Sequence, residues 1–159
     1  TSDPQILVGS ALGGWISLLF ARMFPSKVAG IIGIAAAPDF TAQYSDDNLT
    51  KDQKQELLSV GKLSFYSEYF DQPLVITKKL IEDGNNNLIL TKEQSIDCPV
   101  RLFHGSHDED VPLSTSLDIL KRINSNDMQL QIIKGIDHRF STPYCLELIQ
   151  KAVEQVPLP

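Results

Sequence analysis

Hydrophobic residues in the first forty positions fall into three runs separated by glycine and proline. Residues 5–8 are apolar and β-branched and end at Gly9, a pattern that predicts a strand. Residues 12–24 are apolar nearly all round and stop at Pro25, which predicts a helix buried on several sides. Residues 28–35 form a continuous apolar run, typical of a strand covered on both faces of a parallel sheet. The chain therefore begins as strand, helix, strand.

Between about residue 38 and residue 90 polar stretches alternate with aromatic residues, and no long strand is evident. Thr50 is a suitable N-cap for a helix through Leu58, and Pro73 suits the start of a second helix that stops at Gly84. We predict a helical cap inserted at about 38–90 in a single domain spanning 1–159. Four aromatic residues are predicted to pack within this cap rather than to contact a ligand: Phe65, Tyr66, Tyr69 and Phe70.

Regular alternation of strand and helix patterns resumes in the last third of the chain. Residues 99–104 and 128–133 predict strands, and residues 113–123 and 142–156 predict helices. The second of these strands alternates polar with apolar side chains, which indicates a position near a sheet edge. The predicted fold class is α/β, with a mostly parallel sheet of four strands, flanking helices and the cap insertion.

Composition narrows the possible functions further. The 159 residues are 42% hydrophobic, enough for one core, and 14 basic against 20 acidic residues give a net charge of −6. This balance argues against nucleic-acid binding, which needs clustered Lys and Arg. No apolar stretch reaches membrane-spanning length and residues 1–5 do not resemble a targeting signal, so we expect a cytoplasmic location. Cys98 and Cys145 lack metal or redox spacing, and His104 and His107 lack partners for a metal site.

The glycine-rich turn at residues 9–14 fits one of three known motifs. The dinucleotide motif fails because Ala11 stands where its second glycine belongs, and the P-loop fails because the turn has no lysine. The nucleophile elbow G-x-S-x-G fits Gly9 and Gly13, which the sharp turn should crowd, but it places Ala11 at the nucleophile. Ser10 is a poor alternative nucleophile, since Val8 and Leu12 would then occupy the two crowded positions.

Two later loops carry candidate acid and base residues. Residues 104–112 run from a strand end into an acidic turn, where Asp108 and Asp110 are either candidate acids or part of a solvated loop that starts a helix. Residues 135–139 follow the last predicted strand and contain His138. Taken together, the elbow, the acid and the histidine each follow a predicted parallel strand, at the sheet edge where α/β folds place their sites.

With this order, the chain resembles the α/β-hydrolase superfamily over nearly its whole length. Three segments, at residues 8–15, 98–105 and 137–139, look most like the mitochondrial palmitoyl-protein thioesterase branch and its bacterial relatives. The resemblance implies serine-type hydrolysis of small acyl esters or thioesters, without a cofactor. It also implies that Ala11 holds the nucleophile position, Asp108 is the acid, His138 is the general base, and the backbone N–H of Leu12 contributes to the oxyanion hole.

The chain departs from this superfamily in two respects. Ala11 has no hydroxyl group, so we expect negligible turnover, and an alanine introduced to trap substrate would look the same as a naturally decayed site. The superfamily's earlier strands are missing, so we expect the chain to associate with another copy or with an N-terminal partner chain. The alternative function is a non-catalytic pseudo-hydrolase that acts as a binding or assembly module. A flavodoxin-like ligand domain would explain the strand and helix order, but not Asp108 and His138 together.

Overall fold

The computed structural model describes residues 2–66 and 71–157. The helices are α1 Leu12–Met23, α2 Lys51–Ser59, α3 Lys78–Asn85, α4 Leu113–Arg122 and α5 Pro143–Gln155. The strands are β1 Gln5–Ser10, β2 Val28–Ile34, β3 Lys62–Phe65, β4 Leu74–Thr77, β5 Gln94–Ser95, β6 Val100–Gly105, β7 Ile123–Asn124 and β8 Met128–Ile133. Short 3₁₀ helices cover Pro25–Lys27 and Phe40–Tyr44. The described residues contain no helix with both the length and the apolar character needed to cross a bilayer.

Four parallel strands form the main sheet in the order β1-β2-β6-β8. The predicted α/β fold, with a mostly parallel sheet and flanking helices, is confirmed. The alternating strand β8 lies at one edge, as its pattern predicted, and exposes Gln129 and Gln131. All seven residues of β2 are buried, which explains why its sequence shows no alternation.

The core of this sheet lies where α5 packs against β2 and β6. Ile32 and Ile34 of β2 pack with Phe103 of β6 and with Cys145 and Val156 at the two ends of the α5 region. One charged side chain enters the buried part of the sheet: Arg101 is only 8% exposed. Its guanidinium donates 2.8 Å to the Oδ2 of Asp127 and also to the Asp127 backbone carbonyl, so the charge is paired.

Helix α1 is buried on one face only, so the prediction that it is covered on several sides is wrong for the described chain. Trp15 is 2% exposed and packs in the core, as expected, and Leu18 is 1% exposed. The opposite face is open, because β1 lies at the edge of the sheet and no described strand pairs with its outer side. The large apolar side chains exposed on β1, α1 and the C-cap of α1 are Val8, Leu12, Ile16, Phe20, Met23 and Phe24.

The described chain divides into two compact units, residues 2–38 with 89–157 and residues 39–88. In the second unit, Thr50 caps α2 through a full capping box with Gln53, as the sequence indicated. The predicted start of the second helix at Pro73 is wrong, although its predicted end at Gly84 agrees with the end of α3 to one residue. The β-branched residues after Pro73 form β4, which pairs antiparallel with β3. Helix α3 begins only after β4, and Thr77 caps it.

The aromatic residues of this second unit behave differently from one another. Phe65 packs against Tyr44 with ring centroids 5.7 Å apart and the rings tilted, which agrees with the predicted packing. Tyr66 is 89% exposed, so the packing prediction is wrong for that side chain. Tyr69 and Phe70 lie outside the described residues. The role of this unit as a cap stays a prediction.

Candidate active site

Ala11 forms a sharp turn between the first strand and the first helix. It is the single residue between β1 and α1, and its backbone has φ 47° and ψ −117°. A residue other than glycine held in such a conformation costs about 1–3 kcal/mol, and it persists only when the surroundings fix it. Here the Ala11 N–H donates to the Ile34 carbonyl at 3.0 Å, and its own carbonyl accepts from Gly14 and Ala37. The turn therefore has the strained geometry that a nucleophile elbow requires.

Around this turn, Gly9 and Gly14 are the glycines at which a side chain would not fit. A Cβ on Gly9 would collide with the Gly13 carbonyl, as the elbow motif predicts. A Cβ on Gly14 would collide with the Cβ of Ala36 and lie 2.9 Å from its Cα. A Cβ on Gly13 would meet no described atom within 4 Å beyond its chain neighbours and the backbone of its own helix, so the predicted crowding at Gly13 is wrong. The helix instead approaches the segment after β2 at Gly14, where it meets Ala36.

Asp108 lies in the loop that follows β6, and its carboxyl group is fully engaged. The side chain is only 1% exposed, and its Oδ1 accepts the backbone N–H groups of Asp110 and Val111 at 3.0 and 2.8 Å. Its Oδ2 lies 2.9 Å from the Nδ1 of His138. Asp110 is exposed and contributes its N–H, while Pro112 occupies the N-cap of α4. The solvated, helix-starting alternative therefore does not describe Asp108.

His138 lies in the loop after β8 with its side chain 15% exposed. Because its Nδ1 faces a carboxylate, the proton of the neutral ring belongs on Nδ1, which leaves the Nε2 lone pair able to accept a proton. The two loops are tied together next to the pair. The Gly135 N–H donates to the Ser106 Oγ at 2.9 Å, and the His107 N–H donates to the Ile136 carbonyl at 2.9 Å.

His104 is a further member of this cluster that the sequence did not predict. Its ring is completely buried, and its Nε2 lies 3.3 Å from the Asp108 Oδ2 and 2.9 Å from the Val111 carbonyl. Its Nδ1 lies 2.7 Å from the Oγ of Ser116 on α4. A polar residue in a buried strand, as Arg101 also is, was the available signal, because buried polar groups need partners. Among residues 2–66 and 71–157, no group of three or more His, Cys, Asp or Glu side chains is arranged so that it could hold a metal ion.

The predicted site residues all lie beyond the carboxyl ends of strands of the main sheet. Ala11, Asp108 and His138 follow β1, β6 and β8, which run parallel, so each stands beyond a carboxyl end. Asp108 and His138 are in direct contact, and Leu12 begins α1 immediately after the strained turn. Ser10 remains inside β1, paired with Ile34, so the turn geometry belongs to position 11.

Comparison with known proteins identifies similar sequences. No family model matches the chain. It is 36% identical over 148 residues to the mitochondrial palmitoyl-protein thioesterase ABHD10 of Rattus norvegicus, covering 92% of this chain and 49% of that protein. It is 32% identical over 154 residues to the Homo sapiens protein of the same name, covering 96% and 50%. The chain thus spans about half the length of the curated relatives it matches.

Solved structures show the same likeness. A candidate hydrolase from Agrobacterium vitis superposes with a TM-score of 0.88 at 32% identity, covering 97% of this chain and 61% of that one. Mouse alpha/beta hydrolase domain-containing protein 10 superposes with a TM-score of 0.82 at 34% identity, covering 97% and 62%. A monoacylglycerol lipase from Paleococcus ferrophilus, at 22% identity and a TM-score of 0.72, shares the fold.

Proposed function

Because the chain belongs to the α/β-hydrolase superfamily, in the branch that contains the mitochondrial palmitoyl-protein thioesterases, we propose that its site is built for serine-type hydrolysis of an acyl ester or thioester. The observation that carries this proposal is the contact between the buried Asp108 carboxylate and His138 at 2.9 Å. A buried acid that orients a partly exposed histidine is the arrangement that general-base activation of a hydroxyl requires.

In this mechanism a serine at position 11 would attack the acyl carbonyl while the Nε2 of His138 takes its proton. Asp108 would hold the tautomer and stabilise the imidazolium, and the Leu12 N–H would donate to the oxyanion. The imidazolium would return the proton to the leaving alcohol or thiol. Water, deprotonated by the same histidine, would then release the acid and regenerate the serine. No cofactor enters these steps.

The chain has Ala11 at the position of the nucleophile, and the methyl side chain of alanine cannot form an acyl-enzyme. In one serine protease the loss of the nucleophile lowers kcat by about 10⁶-fold, and the residual rate comes from binding and the oxyanion hole. We therefore propose that this chain binds acyl substrate without turning it over. We also propose thioesters as the first substrates to test, because the curated relatives are named palmitoyl-protein thioesterases.

Restoring the hydroxyl tests the proposal. Ala11→Ser, alone and mixed with the N-terminal half of a longer relative, should become labelled by a fluorophosphonate and should hydrolyse an acyl thioester. The double variant Ala11→Ser with His138→Gln should lose both activities, since it lacks the base. A folded Ala11→Ser protein that remains unlabelled in the presence of that half would contradict the hydrolase proposal.

A second candidate function is a non-catalytic assembly module, and the open face of α1 favours it. Val8 of β1 is 51% exposed, and Ile16 and Met23 of α1 are 56% and 60% exposed. One edge of β1 pairs with no strand of the described residues. Such an edge next to apolar surface favours pairing with another chain. We propose that an N-terminal partner segment pairs with β1 and covers this face. Sedimentation of the chain with and without that segment tests the idea, and a monomer that ignores the segment would contradict it.

The curated relatives are named mitochondrial, which describes those proteins. For this chain the cytoplasmic location stays a prediction. Cell fractionation of the native protein would test it, and co-purification with mitochondria would contradict it.

A further inference from the structure

We propose that His104 is a positioning residue for the candidate acid, and that its Nε2–H helps to aim the Asp108 carboxylate at His138. The inference rests on the proposed function, because it concerns how the acid and base of that site are held. It begins from four polar groups that surround one carboxyl group, of which His104 also has the Val111 carbonyl as its hydrogen-bond partner. Two backbone N–H groups occupy Oδ1, and the two imidazole rings of His138 and His104 approach Oδ2 at 2.9 and 3.3 Å.

The tautomer of His104 follows from its neighbours. Its Nε2 faces two oxygens that can only accept a hydrogen bond from it, the Val111 carbonyl at 2.9 Å and the Asp108 carboxylate at 3.3 Å. A lone pair on Nε2 would face both oxygens without a proton between them, so Nε2 carries the proton. In the neutral ring Nδ1 is then the acceptor, and the Ser116 hydroxyl at 2.7 Å donates to it.

The surroundings give this arrangement rigidity. The His104 ring is 0% exposed and Ser116 is 1% exposed, so water does not compete for either hydrogen bond. His104 is the second-to-last residue of β6, Ser116 lies on α4, and Val111 lies between them in the chain. The ring therefore fixes the Asp108 loop to both of its flanking elements. Without it, Oδ2 would have His138 alone to hold its direction.

Two substitutions of His104 separate the effect of its ring nitrogens on Asp108 from the effect of its side-chain volume. His104→Leu keeps much of the volume but removes both ring nitrogens, whereas His104→Gln can place an amide N–H near the position of Nε2. His107, exposed in the same loop, provides a matched control as His107→Gln. The readout in this chain is the low-field proton resonance of the His138 Nδ1–H, which requires an ordered hydrogen bond to Asp108. Amide spectral dispersion reports whether each variant is folded.

We expect His104→Leu to lose that resonance, and His104→Gln and His107→Gln to retain it. A folded His104→Leu protein that keeps the resonance would overturn the proposal. If His104→Leu does not fold, the unsubstituted chain decides, because nitrogen-15 shifts report the His104 tautomer directly. A protonated Nε2 supports the proposal, and a proton on Nδ1 with a bare Nε2 overturns it.

A kinetic experiment keeps this inference distinct from the proposed function. In an Ala11→Ser chain that hydrolyses thioesters, His104→Leu should lower kcat about 10²-fold with KM unchanged, as expected for a misplaced base. His104→Gln should recover most of the loss. An unchanged kcat would overturn the inference. An Ala11→Ser chain without turnover would count against the hydrolase proposal, while the resonance experiment would still decide the role of His104.

Discussion

The two adjacent glycines at the start of α1 give opposite predictions when each is replaced by alanine. Gly13 and Gly14 both lie in the first turn of the helix, so the intrinsic gain in helix propensity is nearly the same for both. Their surroundings differ. A Cβ on Gly13 would enter space free of described atoms within 4 Å, and a Cβ on Gly14 would collide with Ala36. The difference between the two variants therefore isolates the steric term.

The expected magnitude follows from what the new methyl group meets. Replacing an unstrained helical glycine by alanine stabilises a protein by about 0.5–1 kcal/mol, and this is the expected gain for Gly13→Ala. At Gly14 the obstacle is the Cβ and Cα of Ala36, which cannot rotate away, and overpacking of this kind costs about 1–3 kcal/mol. Gly14→Ala should thus be less stable than Gly13→Ala by about 2 kcal/mol.

Urea unfolding of the unsubstituted chain, Gly13→Ala and Gly14→Ala, followed by the fluorescence of the buried Trp15, measures this difference in the free energy of unfolding directly. In thermal unfolding of a chain of this size, about 2 kcal/mol corresponds to a separation of roughly 6 °C between the melting temperatures of the two variants. Equal stability of the two variants would refute the close approach of α1 to Ala36 at Gly14. A Gly13→Ala protein that is the less stable of the two would instead restore the crowding that the elbow motif predicts two residues after the nucleophile.

Three further predictions concern backbone strain, charge and capping. Ala11→Gly should raise the free energy of unfolding in urea by about 1 kcal/mol, since glycine adopts φ 47° without strain; an unchanged value would contradict this. The Arg101 guanidinium holds the pKa of Asp127 below its ordinary 3.8, so this carboxylate stabilises the fold above that pH and the effect fades as the pH falls through the lowered pKa. Asp127→Asn should flatten the acid limb of a plot of melting temperature against pH, and an unaltered limb would refute the pairing. Thr142→Ala should cost about 1 kcal/mol in thermal unfolding by removing the N-cap of α5, whereas Ser141→Ala, exposed beside it, should change nothing.

The main sheet could be predicted because burial leaves a direct mark on sequence. Strand β2 is covered on both faces and is therefore apolar throughout, while edge strand β8 alternates. The hairpin of β3 and β4 was missed because Pro73 suits the first turn of a helix as well as the start of a strand. The segment after Pro73 forms a strand because its residues are mostly β-branched and because it pairs with β3, whose residues lie nine or more positions earlier.

The candidate site was only partly predictable, for a related reason. Asp108 and His138 each follow a parallel strand, so their place at the carboxyl ends of the sheet's strands can be inferred from the order of the predicted strands alone. The contacts of His104 depend on a helix residue twelve positions later and on the carbonyl of Val111. Neither partner forms a motif with it. Hydrogen bonds between separate elements are set by tertiary packing, which a local pattern does not encode.

The cost of the turn at position 11 shows where the site's geometry comes from. The strain at Ala11 resides in φ and ψ, so it is present with a methyl side chain and would be present with a hydroxymethyl one. The backbone bonds to Ile34, Gly14 and Ala37 impose it without any help from the side chain. The same holds for the acid, which backbone N–H groups and two rings hold in place. A hydroxyl restored at position 11 would therefore enter a turn whose backbone already has the strained geometry that the proposed mechanism needs, without a change in the backbone.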